Sequence, residues 1–444
     1  MPTSPPHLSR EEAAIAEVAA TRVSLAGSLA LILVFLAVIA VGSALEGARG
    51  WRGEATAFAG GEPIPTPAAF LDTWRRLGPL AANDALRSAI AALEDRLGRE
   101  SALSAALRPA AQRLLALYLG YGNSQVVVGR RGWLYFRTGF DYLTGPPFLS
   151  PRELARRRTF GARYGVPEPD PLPGLLQLRA ELAARGIELV FFPVPVKAQV
   201  HPEGLARFGT LAAATVGGTS TGMIENASFP QLVRRLGEAG LPVYDALPEL
   251  RAAATAGEFV YFRTDTHWNA AGMRVAAAGL ARFLATATHL PPRPPAGLRR
   301  RGFAHEFEGE LTRLLGANAG GAASATEALF PNERVQLDEI LALGEVPWNA
   351  GKTTDSDILL LGDSYALVFS ALAGGASAGF AEQLAFALDR PVRRSARYAT
   401  NDLGDRVRWL REDPSLLDGV RVVVYEVSAR ALASADWTGA RLEP

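Results

Sequence analysis

The sequence contains no cysteine, which excludes disulfides, thiolate metal sites and a cysteine nucleophile. It has little histidine: His7, His201, His267, His289 and His305 are all that 444 residues provide. It lacks an excess of either charge, with 46 Lys and Arg against 45 Asp and Glu, so no global field draws it to nucleic acid. Two basic clusters, Arg156-Arg157-Arg158 and Arg299-Arg300-Arg301, are not interleaved with aromatics and read as solvated surface. The second histidine of a zinc-protease helix is missing, since His305-Glu306-Phe307-Glu308 runs into Gly309. No metal, cofactor or nucleic-acid partner is expected, and no internal repeat is present.

One long hydrophobic run is present. Val23 to Leu45 is uncharged and rich in Leu, Ala, Val and Ile. At ~1.5 Å per residue it can cross an apolar layer of ~30 Å. It reads as a transmembrane anchor over 23–45, following a tail at 1–22. The small residues Gly42-Ser43-Ala44 keep a cleaved signal as the alternative. Arg10 and Arg22 before the run and Arg49 and Arg52 after it leave its orientation open. Residues 46–66 read as a linker. Residues 68–119 read as helices, one carrying Leu86, Ile90, Leu93 and Leu97 on one face and ending at Gly98, a later one opening at Pro109.

From about residue 120 the pattern changes. Gln125 to Phe136 reads as a β-hairpin turning through Gly129 to Gly132. An amphipathic helix from Gly174 to Arg185 precedes the continuous apolar strand Ile187 to Val194, the mark of a strand covered on both faces. Ala206 to Asn226 reads as a surface loop, and Asn226-Ala227-Ser228 matches a glycosylation sequon. A helix over 229–238 with Ser228 as N-cap, a short strand over 242–245 and a helix over 248–254 follow. Asn269 caps a helix over 270–285, residues 291–297 form a stiff proline-rich connector, and 298–356 is irregular. Helices over 365–373 and 381–388 and an apolar strand over 420–427 close the pattern. Strands alternating with helices imply an α/β fold, a parallel sheet flanked by helices.

The chemistry concentrates at two places. Ile358 to Leu361 is a buried strand that breaks at Gly362-Asp363-Ser364-Tyr365. A serine in such a strand-to-helix turn lifts its hydroxyl clear of the sheet and has its amide at a helix start. Read alone, Gly-Asp-Ser is also an ordinary turn. The serine needs a base, and His267 is the best candidate: in an extended segment Asp265 points the same way and can fix its tautomer. His201, beyond the end of a core strand, is the other histidine placed where sites form. Position 366 is alanine, so G-x-S-x-G is absent and an α/β-hydrolase elbow is disfavoured. Glu306, Glu308 and Glu310 alternate like one solvated edge rather than a glycosidase pair.

Asp265-Thr266-His267-Trp268 followed by Gly362-Asp363-Ser364-Tyr365 resembles the SGNH-hydrolase-like domain of the alginate O-acetyltransferases of the AlgJ/AlgX type. Gly129 to Phe136, Pro195-Val196-Lys197 with Pro202-Glu203, Tyr244 to Leu250, and Tyr425-Glu426-Val427 with Arg430 agree in order. The resemblance covers about residues 120–435. It implies an SGNH-like domain over 120–444, with Ser364 as nucleophile, His267 as general base and acid, and Asp265 as the orienting carboxylate. It places Tyr365, Trp268 and Lys197 as candidates to line the site. It also implies a single-pass inner-membrane protein with its catalytic domain in the periplasm. The implied partners are a membrane-bound O-acyltransferase as acetyl donor and an exopolysaccharide acceptor. Where the family's pattern has a Gly-Gly pair, this chain has Thr400-Asn401-Asp402-Leu403-Gly404, which touches the acceptor side. A carbohydrate acetylesterase using the same triad, and a non-catalytic polymer-binding scaffold, are the competing readings.

Overall fold

The computed structural model describes residues 24–52, 64–164, 168–205, 224–316, 330–370, 377–398 and 401–442. Residues 1–22 with His7, most of the 206–226 loop and the end of the helix expected over 365–373 lie outside the described residues. The chain divides into two compact units, 1–111 and 112–444.

In the first unit, α1 (Leu25–Trp51) is capped by Ser24, whose hydroxyl accepts from the Gly27 amide at 3.1 Å. It is long and apolar enough to cross a membrane. It runs past the expected end at Leu45 into the segment read as linker. Helices α2 (Pro67–Leu77), α3 (Pro79–Glu100) and α4 (Ala102–Leu114) follow. Gly98 does not stop α3, because a lone glycine costs only about 1 kcal/mol in a helix. Pro109 lies inside α4 instead of opening it, so one lost hydrogen bond is carried by the turns on either side.

The second unit opens with the hairpin of β1 (Val126–Val128) and β2 (Leu134–Phe136), paired antiparallel with Val127 opposite Tyr135. Helices α5 (Arg137–Thr144), α6 (Pro151–Tyr164) and α7 (Pro171–Ala183) lead to β3 (Glu188–Val194). Next come α8 (Lys197–Val200), α9 (Phe229–Glu238), α10 (Leu247–Thr255) and α11 (Ala270–Ala287). Asn269 caps α11 through the Ala271 and Gly272 amides, as its sequence position predicts. Ser228 stands at the N-cap position of α9 but makes no cap; its hydroxyl accepts from the Leu149 amide instead. The sequon residue Asn226 is buried and donates to the carbonyls of Tyr142 and Pro146.

The stretch expected to be irregular is largely a second sheet. β4 (Arg299–Phe307) pairs antiparallel with β5 (Glu333–Ala342), which also pairs with β6 (Val346–Pro347), and α12 (Glu310–Leu315) lies between β4 and β5 in sequence. β4 is mostly exposed and charged, so it shows no apolar alternation. Cross-strand charge holds it: Arg301 meets Glu339 at 2.6 Å, and Arg300 lies 3.6 Å from Asp338. The other basic cluster is also engaged. Arg156 pairs with Glu153, Arg158 with Glu168, and Arg157 is buried on the carbonyls of Pro169, Leu432 and Ala435. It is therefore not simple solvated surface.

The chain then forms β7 (Ile358–Gly362), the single-turn α13 (Ser364–Leu367), α14 (Phe380–Leu388), β8 (Arg393–Ala396), α15 (Leu403–Glu412) and β9 (Val422–Ser428). The main sheet is fully parallel in the order β3-β9-β7-β8. Residues 242–245, expected as a strand, add one parallel bridge, Phe191 to Val243. Alternation divides each strand between two cores. Leu359, Leu361, Val423 and Tyr425 pack with residues of α7 and α15. Ile358, Leu360, Val422 and Val424 pack with residues of α11 and α14. Such strands must be apolar on both faces, and each buried Leu or Val contributes roughly 1.5–3 kcal/mol. The sheet is thus pinned, and its carboxyl edge becomes a rigid platform.

Candidate active site

Ser364 follows the carboxyl end of β7. The strand can turn there because Gly362 has no side chain: a Cβ would come within 2.5 Å of the Ala366 Cβ and 2.8 Å of Glu426 Oε2. Asp363 then fixes the turn. Its carboxylate accepts from the Tyr365 amide at 2.8 Å and the Ser428 amide at 2.9 Å. Its own amide donates to Glu426 Oε2 at 2.9 Å. Asp363 thereby ties the ends of the neighbouring strands β7 and β9 together around the serine. The Tyr365 amide is consumed by this bond, while the Ser364 amide has no partner among the described residues.

His267 comes from the segment between α10 and α11. Its Nε2 lies 2.8 Å from Ser364 Oγ, and its Nδ1 lies 2.6 Å from Asp265 Oδ1. Asp265 accepts further bonds from the His267 amide at 2.9 Å and the Glu310 amide at 2.8 Å. Four hydrogen bonds therefore fix one carboxylate–imidazole–hydroxyl line. Asp265 cannot donate, so Nδ1 carries the proton and Nε2 faces the serine as acceptor. Burial alone raises Asp265, but His267 and these N–H donors outweigh it and hold Asp265 below the usual carboxylate range. Burial alone lowers His267, but the charge and hydrogen bond of Asp265, with help from Glu310, hold it above the ordinary imidazole value. Arg430 pulls the other way.

Three acidic groups stand at this site that the sequence did not place there. Glu310 reads as part of a solvated edge, yet it is half-buried beside the line, and its carboxyl is raised by burial and by Asp265. It arrives there because Gly309 approaches Thr264 so closely that a Cβ would meet the Thr264 carbonyl at 2.2 Å. Glu333, on β5, accepts from the amides of Arg263 and Thr264 at 2.7 and 3.1 Å. Glu426 is buried, and burial followed by the Asp363 charge raises it well above its ordinary value. The Gly309-Glu310 pair that opens α12 was the available signal for Glu310; Glu333 gave none. Asp265, His267 and Glu310 bring ligand atoms within 4.8 Å of one another, the one such group among the described residues. The two nitrogens of His267 are already committed to Asp265 and Ser364.

The other sequence candidates lie elsewhere or play other parts. Lys197 is buried, and its Nζ donates to the carbonyls of Asp265, Phe262 and Arg263 at 2.6, 3.0 and 3.1 Å. Trp268 and Tyr365 are fully buried and meet edge to face at 5.3 Å; the Tyr365 hydroxyl donates to the Thr266 carbonyl at 2.8 Å. All three pack behind the line and present no surface to a polymer. Arg430 is half-buried near it, its guanidinium 5.8 Å from the Tyr365 ring and its Nη1 3.0 Å from Ser428 Oγ. His201 is spoken for at both nitrogens: Nε2 accepts from the Val260 amide at 3.3 Å, so Nδ1–H donates to Glu203 at 2.7 Å. His289 is exposed beside Glu188, and His305 sits in β4 opposite Val335. In the segment that departs from the family's pattern, Asp402 accepts from the Asp436 amide at 2.8 Å.

Residues 126–429 match the family model described as SGNH hydrolase-like domain, acetyltransferase AlgX. The probable alginate O-acetylase AlgJ of Pseudomonas syringae pv. tomato is 25% identical over 313 residues, 70% of each chain. The protein of the same description from Pseudomonas aeruginosa is 25% identical over 320 residues, 71% of this chain and 72% of that one. The solved O-acetyltransferase domain of Pseudomonas putida AlgJ superposes with a TM-score of 0.49 at 22% identity, covering 70% of this chain and 93% of that one. By the family match over most of its length, this chain belongs to the AlgJ/AlgX family of alginate O-acetyltransferases and carries its SGNH hydrolase-like domain.

Proposed function

We propose that the chain is a polysaccharide O-acetyltransferase working through an acetyl-serine intermediate. The observation that carries this is the line from Asp265 through His267 to Ser364, with contacts of 2.6 and 2.8 Å on a rigid platform. His267 Nε2 takes the Ser364 Oγ proton as Oγ attacks the donor's acetyl carbonyl. The proton passes to the leaving group, and acetyl remains on Oγ. A sugar hydroxyl then gives its proton to Nε2 and attacks the ester; Oγ leaves, regains the proton and is restored. Asp265 holds the Nδ1 proton and stabilises the imidazolium in both halves. The free Ser364 amide supplies one donor for the oxyanion.

The acceptor in this reading is an alginate-like exopolysaccharide, the class named for the relatives. The helix α1 anchors the chain in the inner membrane, the domain lies in the periplasm, and a membrane-bound O-acyltransferase delivers the acetyl group. Incubating the protein with an activated acetyl ester and an unacetylated uronate polymer tests the transfer. Acetylated polymer, absent with Ser364→Ala, is the expected result. Free acetate with unmodified polymer shows an esterase instead, and full turnover by Ser364→Ala rules out the mechanism.

A further inference from the structure

A cavity of about 510 Å³ lies beside the segment that carries Asp265. Its wall includes Arg130, Arg131 and Arg263, the rings of Trp133 and Phe259, and His201. Other arginines of this unit are matched to carboxylates, as Arg301 is to Glu339 and Arg394 to Glu382. These three have no ion pair among the described residues. Glu203 does not neutralise them, since it is taken by His201 at 2.7 Å and lies 3.9 Å from Arg251. Glu258, exposed, is the other acidic group in the wall.

The aromatic part is built as deliberately. Trp133 is buried and its ring lies 4.8 Å from that of His201. His201 is locked through both nitrogens, so this wall is rigid. Phe259 is 52% exposed, unusual for so large a ring, and the Arg263 guanidinium lies 4.7 Å from its centre. Stacking of that kind leaves guanidinium N–H edges free for an anion. A flat apolar ring beside unpaired guanidinium groups suits a ligand with an apolar face and a carboxylate. Sugar rings expose C–H groups on one face, and a uronic acid adds the carboxylate.

Lys197 separates this cavity from the triad. Its Nζ lies 5.7 Å from the Trp133 ring and 2.6 Å from the Asp265 carbonyl. The cavity is therefore distinct from the place where Ser364 reacts, yet both are fixed to the segment from Phe259 to His267. We propose that it is a second carbohydrate subsite that takes one carboxylated sugar residue of the acceptor chain. Its carboxylate meets Arg130, Arg131 and Arg263, and its apolar face lies on Phe259. This rests on the polysaccharide reading above and adds an anchoring point away from the chemistry.

The test uses the full-length protein carrying Ser364→Ala, in detergent, titrated calorimetrically with a defined oligouronate and with a neutral oligosaccharide of equal length. The oligouronate is expected to bind at least tenfold more tightly. Arg130→Gln with Arg131→Gln is expected to weaken it at least tenfold and to flatten its salt dependence. Phe259→Ala, an exposed position, is expected to weaken it independently. Equal affinity for both sugars, or unchanged oligouronate affinity in both variants, overturns the subsite. Inorganic phosphate competing as well as the oligouronate shows a plain anion site and overturns it too. Acetyl transfer by the Ser364 protein is measured separately. If transfer occurs and the cavity variants bind normally, only the subsite falls; if the cavity binds and Ser364 never transfers, only the proposed function falls.

Discussion

His267 sits between opposing influences, and in the proposed mechanism their balance sets the pH at which Ser364 is activated. Burial and Arg430 favour the neutral ring; Asp265 and Glu310 favour the imidazolium, and they win. The reaction needs Nε2 unprotonated, so kcat/KM is expected to rise with pH through an inflection above the ordinary imidazole value of about 6.5. Glu310→Gln removes one stabilising charge, so that inflection is expected to move to lower pH; a pH–rate profile on a small acetyl ester reads it. An unchanged or raised inflection would mean that Glu310 does not face the imidazole. At this scale the contact of Asp265, His267 and Ser364 was legible because the three stand in two short, distinctive segments, and local geometry dictates that Asp265 and His267 can meet. Glu310 was not legible. Its neighbours Glu306 and Glu308 are exposed, and what turns Glu310 inward is the contact of Gly309 with Thr264, far away in sequence.

Between β3 and α11 the chain has little regular structure around Asp265, yet this is the segment that must be held to a fraction of an ångström. Lys197, in the short helix after β3, holds it from beneath with three carbonyl contacts, and Glu333 on β5 takes two of its amides. Lys197→Met would leave those buried carbonyls without a donor. It is expected to cost about 2–5 kcal/mol of stability, read as a lowered midpoint in denaturant unfolding. A change within about 0.5 kcal/mol would show that the lysine is not a clamp. The same elements show what the sequence could and could not reveal. β3, β7 and β9 are apolar on both faces and stand out as runs. β4 is stabilised by cross-strand ion pairs and main-chain bonds to a partner more than twenty residues on, and such pairing leaves no local period. The helix after Ser364 is shorter than its apolar composition suggests: α13 ends at Leu367, and Phe369 takes a positive φ of 65°.

For the whole molecule, the proposal sets a membrane helix at one end and a sugar-modifying site in the other unit. If α1 spans the inner membrane with residues 1–22 inside, a periplasm-dependent phosphatase fused after Pro444 is expected to be active. A cytoplasm-dependent reporter at the same position is expected to be silent. The reverse pattern would contradict the periplasmic reading and remove any exported polymer as acceptor. The protein is exposed to an activated acetyl ester without an acceptor, quenched in acid, digested and analysed by mass spectrometry. The account predicts one added acetyl group on the peptide containing Ser364, lost when a uronate oligomer is supplied and absent in His267→Ala. Turnover of the ester with no acetyl on Ser364, or acetylation unaffected by His267→Ala, would contradict it.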